Sequence, residues 1–401
     1  SMMAAVRFKL QGKSMRKIIL VSLISVLFLS ACLRTPSENP ATSEITNAPT
    51  QTTDLSPTPT QQPTSTPEPS PTPTAIPAPS INPDTAATIV ALETITDHQT
   101  PIRNIFIPNT NSFITSSDGQ DSLLYLWEKK NKVSNSPLGI SEYPFPPIAI
   151  SPDGKLLAMR ILPSSGVDTV MAIFDLSTGE IITQFEFQTD RLSHVINDVQ
   201  WSPDGNLLAI GNADGHVQAY ETETFSRLLD TKIQPDQKDS VARINVVAFS
   251  PDGKLLAAAG QDEAIRIWDT ADWNEPKVID NSMFPILDLE FSPDGKFIVV
   301  GDAGEIYVWD LENEKEVEGF NPQFKTFTVA YSPDGSLLAA GGIDRRVRIW
   351  RTDTWEMVAE LTGHKTKVIS LEFSFDGQFL VSASEGAGPE YPSTVILWGL
   401  P

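Results

Sequence analysis

A unit recurs along this chain at a spacing of about forty residues, and that periodicity limits the available folds more than any other feature. Its clearest copy covers 246–269 and reads VVAFSPDGKLLAAAGQDEAIRIWD. The apolar runs VVAF, LLAAA and AIRIW are too short for helices. Val247 and Phe249 in the first, and Ile265 and Ile267 in the last, alternate with small or polar neighbours, so the runs read as antiparallel strands. Between the first two strands, Pro251 presets the backbone, Asp252 can bond its own backbone and Gly253 can take a positive φ, which specifies a tight turn. The serine before that proline recurs as Ser151, Ser202, Ser250, Ser292, Ser332 and Ser374, at intervals of 51, 48, 42, 40 and 42 residues. A degenerate copy precedes them at 105–127, with Pro108 in the serine's place, which makes seven units in all.

A second regularity marks the turn after the second strand. An aspartate stands six residues before the aromatic that ends the third strand, as Asp121/Trp127, Asp168/Phe174, Asp214/Tyr220, Asp262/Trp268 and Asp344/Trp350. With Trp-Asp at Trp268-Asp269 and Trp309-Asp310, and Gly-His at Gly363-His364, residues 88–401 resemble the WD-repeat family of β-propellers. The resemblance implies an all-β, seven-bladed β-propeller of four-stranded antiparallel blades. Ser-Pro-Asp-Gly turns also occur in six-bladed propellers of the Tol system, but seven units and the terminal tryptophan favour the WD type. The family's usual Ser/Thr-His-Asp-Trp hydrogen-bond set is mostly missing; only the last blade keeps His364, Ser382 or Ser384, and Trp398. Packing, more than buried polar networks, is therefore expected to hold the blades.

The domain expectations follow from the ends of the chain. Met15 is the expected start, with Arg16 and Lys17 ahead of an apolar stretch at 18–31 that is too short to span a bilayer of about 30 Å. It ends in Leu29-Ser30-Ala31-Cys32, which resembles a bacterial lipobox, so residues 1–32 read as a lipoprotein signal peptide and Cys32, the only cysteine, as the lipidated residue. Residues 33–85 are rich in Pro, Thr and Ser, with thirteen prolines between 33 and 84, and read as a disordered tether. At about 3.1 Å per residue it could reach on the order of 100 Å. The propeller is expected over 86–401. Because the chain ends three residues after Trp398, its last blade lacks an outermost strand, and TIVALETI at 88–95 is expected to fill that edge.

Strand parity assigns the loops to faces. The Ser-Pro-Asp-Gly turns and those after the Trp-Asp position share a tight face. The longer stretches 134–146, 162–167, 188–195, 231–243 and 385–393 share the opposite, open face, where repeat proteins gather binding insertions. The position eight residues before each anchor is Tyr143, His194, Ala242, Phe284, Phe324 or Thr366, with Thr100 in the first unit. The aromatics and His194 are expected either to stack a peptide or glycan at the channel mouth or to plug the channel, with Glu390 and Tyr391 as the reserve site.

The net charge is −22, and the propeller itself carries 23 basic against 46 acidic residues. This argues against nucleic acid and anionic lipid, and for a cationic protein or peptide partner. No metal or cofactor is expected, since neither 118–121 nor Asp214-Gly215 completes a calcium loop. Catalysis is not expected either: His98, His194, His216 and His364 are scattered, there is no Gly-x-Ser-x-Gly elbow, and Gly386-Ala387-Gly388 is too short for a phosphate loop. The sequence thus reads as a non-enzymatic, monomeric, membrane-tethered scaffold outside the cytoplasm, with a glycan-binding or glycan-cleaving surface protein as the alternative. Replacing the thiol tests the anchor: Cys32→Ser should move the protein out of the membrane fraction and abolish labelling with radioactive palmitate.

Overall fold

The computed structural model describes residues 80–401 apart from 97–101, 111, 118–123, 129–130, 135–142, 163–169, 186–194, 234–242, 318–319, 321, 323 and 389. Cys32, Asp121, Asp168, His194 and most of the five open-face stretches therefore lie wholly or partly outside the described residues. The strands form seven four-stranded antiparallel sheets, taken here as blades 1 to 7. Their innermost strands are Ile102–Phe106, Tyr143–Ile150, Ile196–Trp201, Ile244–Phe249, Ile286–Phe291, Thr326–Tyr331 and Val368–Phe373. Blade 7 packs against blade 1 and closes the ring.

The anchor serine explains the tight turns. In all six Ser-x-Asp-Gly turns the serine Oγ donates to the aspartate two residues on, at 2.6–2.7 Å, and accepts the N–H five residues on, at 2.9 Å. The glycine sits at a φ of +66° to +76°, which a side chain would oppose. Turns of adjacent blades also touch: Gly253 faces the ring of Pro203, and Gly295 that of Pro251. On the same face, Thr222, Thr270 and Thr352 donate to the carbonyls of Gly205, Gly253 and Gly335, tying the second tight turn of a blade to its first.

The cores lie between consecutive blades. Ala257, Ile267 and Ile279 of blade 4, for example, pack against Ile286, Ile298 and Tyr307 of blade 5. Close approach is built in nine residues after the anchor. A Cβ on Gly211, Gly301 or Gly341 would fall 2.5–2.8 Å from Ile244, Thr326 or Val368 of the next blade.

The turn aspartates act within their own blades. Asp262 pairs with Arg266 at 2.6 Å and Asp344 with Arg348 at 2.5 Å, and the backbone N–H of buried Asp214 donates to Asn212 Oδ1 at 3.0 Å. Blade 5 breaks the six-residue rule, and there Asp302 takes the turn, accepting from the N–H groups of Gly304 and Glu305 at 2.7 Å. In blade 7 the Trp398 indole donates to Ser382 Oγ at 2.8 Å, His364 Nε2 lies 2.6 Å from the same oxygen, and His364 Nδ1 meets Thr394 Oγ1 at 2.8 Å. A hydroxyl thus occupies the place of the missing carboxylate, and burial lowers the His364 pKa to about 4, so the ring is neutral.

The closing strand forms. Val90–Ile95 pairs antiparallel with Val395–Gly399, from Val90 opposite Gly399 to Ile95 opposite Val395, with a bulge between Ala91 and Glu93. It starts two residues later than expected because Ala86–Thr88 form a 3-10 turn that brings the chain to the blade edge. Ahead of it Ile81 is buried in the core between blades 6 and 7, and its N–H donates to Gly377 O at 2.8 Å. Blade 2 also differs from the expectation: its innermost strand already begins at Tyr143, opposite Leu162, so 143–146 belong to the sheet and not to the open-face stretch. A chain beginning at residue 80 should melt like the full chain, whereas one beginning at 97 should lose several kcal/mol through lost pairing and burial; equal thermal midpoints would count against closure by this strand.

Candidate functional site

Of the aromatics singled out from the sequence for the open face, Phe284 and Phe324 each pack on their own blade. Phe284 is half exposed, and its ring covers Gly304, where a Cβ would stand 2.4 Å from Cε2. Phe324 is partly buried, stacks on Trp350 with centroids 6.3 Å apart, and lies beneath the Arg348 guanidinium at 4.5 Å. Phe284 and Phe324 are not brought together, and neither lines the central cavity. Tyr143 starts its strand where the register predicts, while its side chain, like His194, lies outside the described residues. Glu390 and Tyr391 are exposed on the turn at 387–391, where the Tyr391 N–H donates to Gly388 O.

The densest chemistry lies on the channel axis, at positions the sequence reading passed over. An innermost strand has one edge with no sheet partner, and its N–H groups must find acceptors elsewhere. In blades 3, 5 and 7 the residues four and two before the anchor supply them to the next blade. Asp198 and Gln200 accept from the N–H groups of Val247 and Phe249 at 2.9 and 2.6 Å, and Asp288 and Glu290 from those of Val329 and Tyr331, both at 2.9 Å. Glu372 accepts from the Phe106 N–H at 3.0 Å and closes the ring, with Ser370 Oγ 3.5 Å from the Asn104 nitrogen. Five residues before the anchor, Asn197 and Asn245 donate to the carbonyls of Ile244 and Ile286 at 2.6 and 2.7 Å. Buried polar contacts therefore join the blades alongside the apolar packing that the sequence led one to expect as the main tie. Alternating polar residues inside otherwise apolar strands (INDVQW, ILDLEF, VISLEF) were the available signal.

These side chains border a cavity of about 450 Å³ that includes Arg103, Asn104, Asp198, Asp288, Glu290 and Glu372. Pro293, Pro333 and Phe375 belong to tight-face turns, so the cavity opens at the end opposite the longer loops. Desolvation pushes the Asp198 carboxyl up to about 7, Asp288 to about 6, Glu290 to about 8, and Glu372 well above the usual range, against the pull of the backbone donors. Arg103 offsets part of the effect at Asp198 and Asp288.

The consequence for stability has a definite sign. Over the range between ordinary carboxylate pKa values and these raised ones, the folded chain holds protons that the unfolded chain has lost, so unfolding becomes easier as pH rises from about 4 to about 8. The turn aspartates Asp153 and Asp252, lowered to about 2 by serine and lysine partners, act oppositely and only in acid. Each tenfold difference in proton affinity between the two states is worth about 1.4 kcal/mol. Tm should therefore drop by at least roughly 2–4 °C between pH 5 and pH 8, and Glu290→Gln should flatten that slope; a Tm that rises over this range would contradict the assignment.

Comparison with known proteins agrees with this architecture. The β-propeller family described as nucleolar protein 10-like, N-terminal domain, matches residues 150–362, over half of the chain, and the WD domain, G-beta repeat, matches residues 355–398. The chain is 24% identical over 324 residues to the WD repeat-containing protein WDS homolog of Arabidopsis thaliana, covering 75% of this chain and 56% of that one. It is 24% identical over 230 residues to the serine-threonine kinase receptor-associated protein of Gallus gallus, covering 57% and 62%. A 120-residue stretch is 33% identical to the WD repeat-containing protein SL1-17 of Schistosoma mansoni, covering 29% and 40%. The chain thus spans less than two thirds of the length of these relatives. With seven four-stranded blades and a family match across more than half of its length, the chain belongs to the nucleolar protein 10-like family of β-propellers and carries WD repeats.

Proposed function

We propose that this protein is a non-enzymatic scaffold, lipid-anchored outside the cytoplasm through Cys32, that holds a protein or peptide partner on the open face of its propeller. WD-repeat propellers act in general as platforms for protein partners. Exposed large apolar side chains also lie on the outermost strands, as at Ile182, Val278 and Met357, and the observation that carries the choice of face is how the remainder divide between the two ends. Met283 and Phe284 at the entry to blade 5, Ile343 in the second turn of blade 6 and Tyr391 in that of blade 7 are 43–77% exposed, at the same end of three consecutive blades. Exposed apolar groups held together by a rigid fold are typical of binding surfaces. Phe375 is an exposed aromatic at the other end.

Two features support the rest of the reading. The acidic balance of the propeller favours a cationic partner and disfavours nucleic acid. The chain joins the fold at Ile81 beside the Gly377 turn, on the tight face and so at the end opposite the open face. The test is capture of cell-surface proteins by the immobilised full chain, with a glycan array in parallel. Phe284→Ala, Ile343→Ser and Tyr391→Ala should each weaken capture by about tenfold or more, as interface hot spots do, while leaving Tm nearly unchanged. Undiminished capture by all three variants would move the site elsewhere, and glycan binding without protein capture would replace the partner class.

A further inference from the structure

The central cavity lies at the other end of the molecule and is independent of the open-face reading. Three features set it apart from a packing defect. Its wall holds four carboxylates but, among the described residues, a single cation, Arg103. Arg103 pulls Asp198 and Asp288 back down; Asp288 raises both Asp198 and Glu290, Glu290 raises Glu372, and the two glutamates have no offset from the arginine. One oxygen of Glu290 and one of Glu372 hold the neighbouring backbone, at Tyr331 and Phe106.

The second feature is Asn104. It is 7% exposed and lines the cavity, yet neither its amide nitrogen nor its amide oxygen has a hydrogen-bond partner. An unpaired buried amide is costly, and a ligand bearing donors would relieve that cost at the oxygen. The third is Phe375, 52% exposed at the rim, in a position where the other five Ser-x-Asp-Gly turns have proline. An aromatic face at the mouth of an acidic cavity attracts a cation.

The distribution of charge indicates the ligand. No group of three acidic, histidine or cysteine side chains among the described residues converges closely enough to hold a metal ion. The carboxylates come instead from blades 3, 5 and 7 at two depths, with Leu289, Val329 and Ala330 also among the lining residues. Carboxyl groups spread over three blades at two depths complement ammonium groups joined by methylene chains, and a bound cation would hold those carboxyls ionised, releasing their protons.

We propose that the central cavity is a binding site for a linear aliphatic polyamine, entering from the tight face past Phe375, with its ammonium groups on Glu290, Glu372 and the Asn104 amide oxygen. Titration calorimetry of the full chain with spermidine at pH 8 and low salt tests this, with a neutral aliphatic diol of matching length as control. The expected result is a single-site isotherm for spermidine and none for the diol. Glu290→Gln and Glu372→Gln keep an oxygen for the backbone donors and should each weaken binding about tenfold, as loss of a charged hydrogen bond does. Phe375→Pro, which restores the residue of the other turns, should weaken it a few-fold, and Phe284→Ala should leave it unchanged. The melting temperature of the native chain supplies a readout that needs no variant, since spermidine but not the diol should raise it. Absence of binding, equal binding of the diol, or affinity indifferent to both glutamine substitutions would overturn the proposal.

Discussion

The structure depends on how the innermost strand of each blade satisfies its unpaired edge. A propeller leaves such edges facing the axis, where backbone groups are shielded from bulk water but have no neighbouring strand to bond. In blades 3, 5 and 7 a pair of polar side chains reaches across to the next blade and accepts its N–H groups, while Asn197 and Asn245 donate to carbonyls nearer the open face. Each such contact positions two blades at once. The carboxyl groups that do this are drawn into a poorly solvated channel, so the device that fixes the ring also gathers proton-holding acids on its axis.

This arrangement separates the two ends of the molecule. At the tight face six of the seven blades repeat one turn, held by a serine that donates to the turn aspartate and accepts the returning backbone, and residues of these turns border the acidic cavity. At the open face the turns differ from blade to blade and expose Met283, Ile343 and Tyr391. The first end is constrained by the repeat and the second is free to vary, which is the usual division between scaffold and recognition surface.

Blade 7 shows how local departures are absorbed. It lacks a turn aspartate in register, and Thr394 supplies a hydroxyl to His364 in its place. It also lacks an outer strand of its own, and residues from the start of the domain supply one. The buried histidine, serine and tryptophan of this blade therefore sit beside the seam where the two ends of the domain meet, and the seam has hydrogen bonds on both sides of the third strand.

The sequence by itself determined the number of blades, the tight turns, the closing strand and the end at which the longer loops fall. These follow from turn chemistry repeated at a fixed period and from strand parity, both of which are local. It did not show that Phe284 and Phe324 would each settle on their own blade, because the attraction of a ring for a nearby glycine surface or a tryptophan depends on side-chain geometry that spacing does not carry. It also did not reveal the axial cavity. Phe106 and Glu372 are 266 positions apart, and Asp198 and Val247 are 49 apart. Only closure of the ring brings such groups within hydrogen-bonding distance, and only burial on the axis turns ordinary surface carboxylates into a cluster that holds its protons.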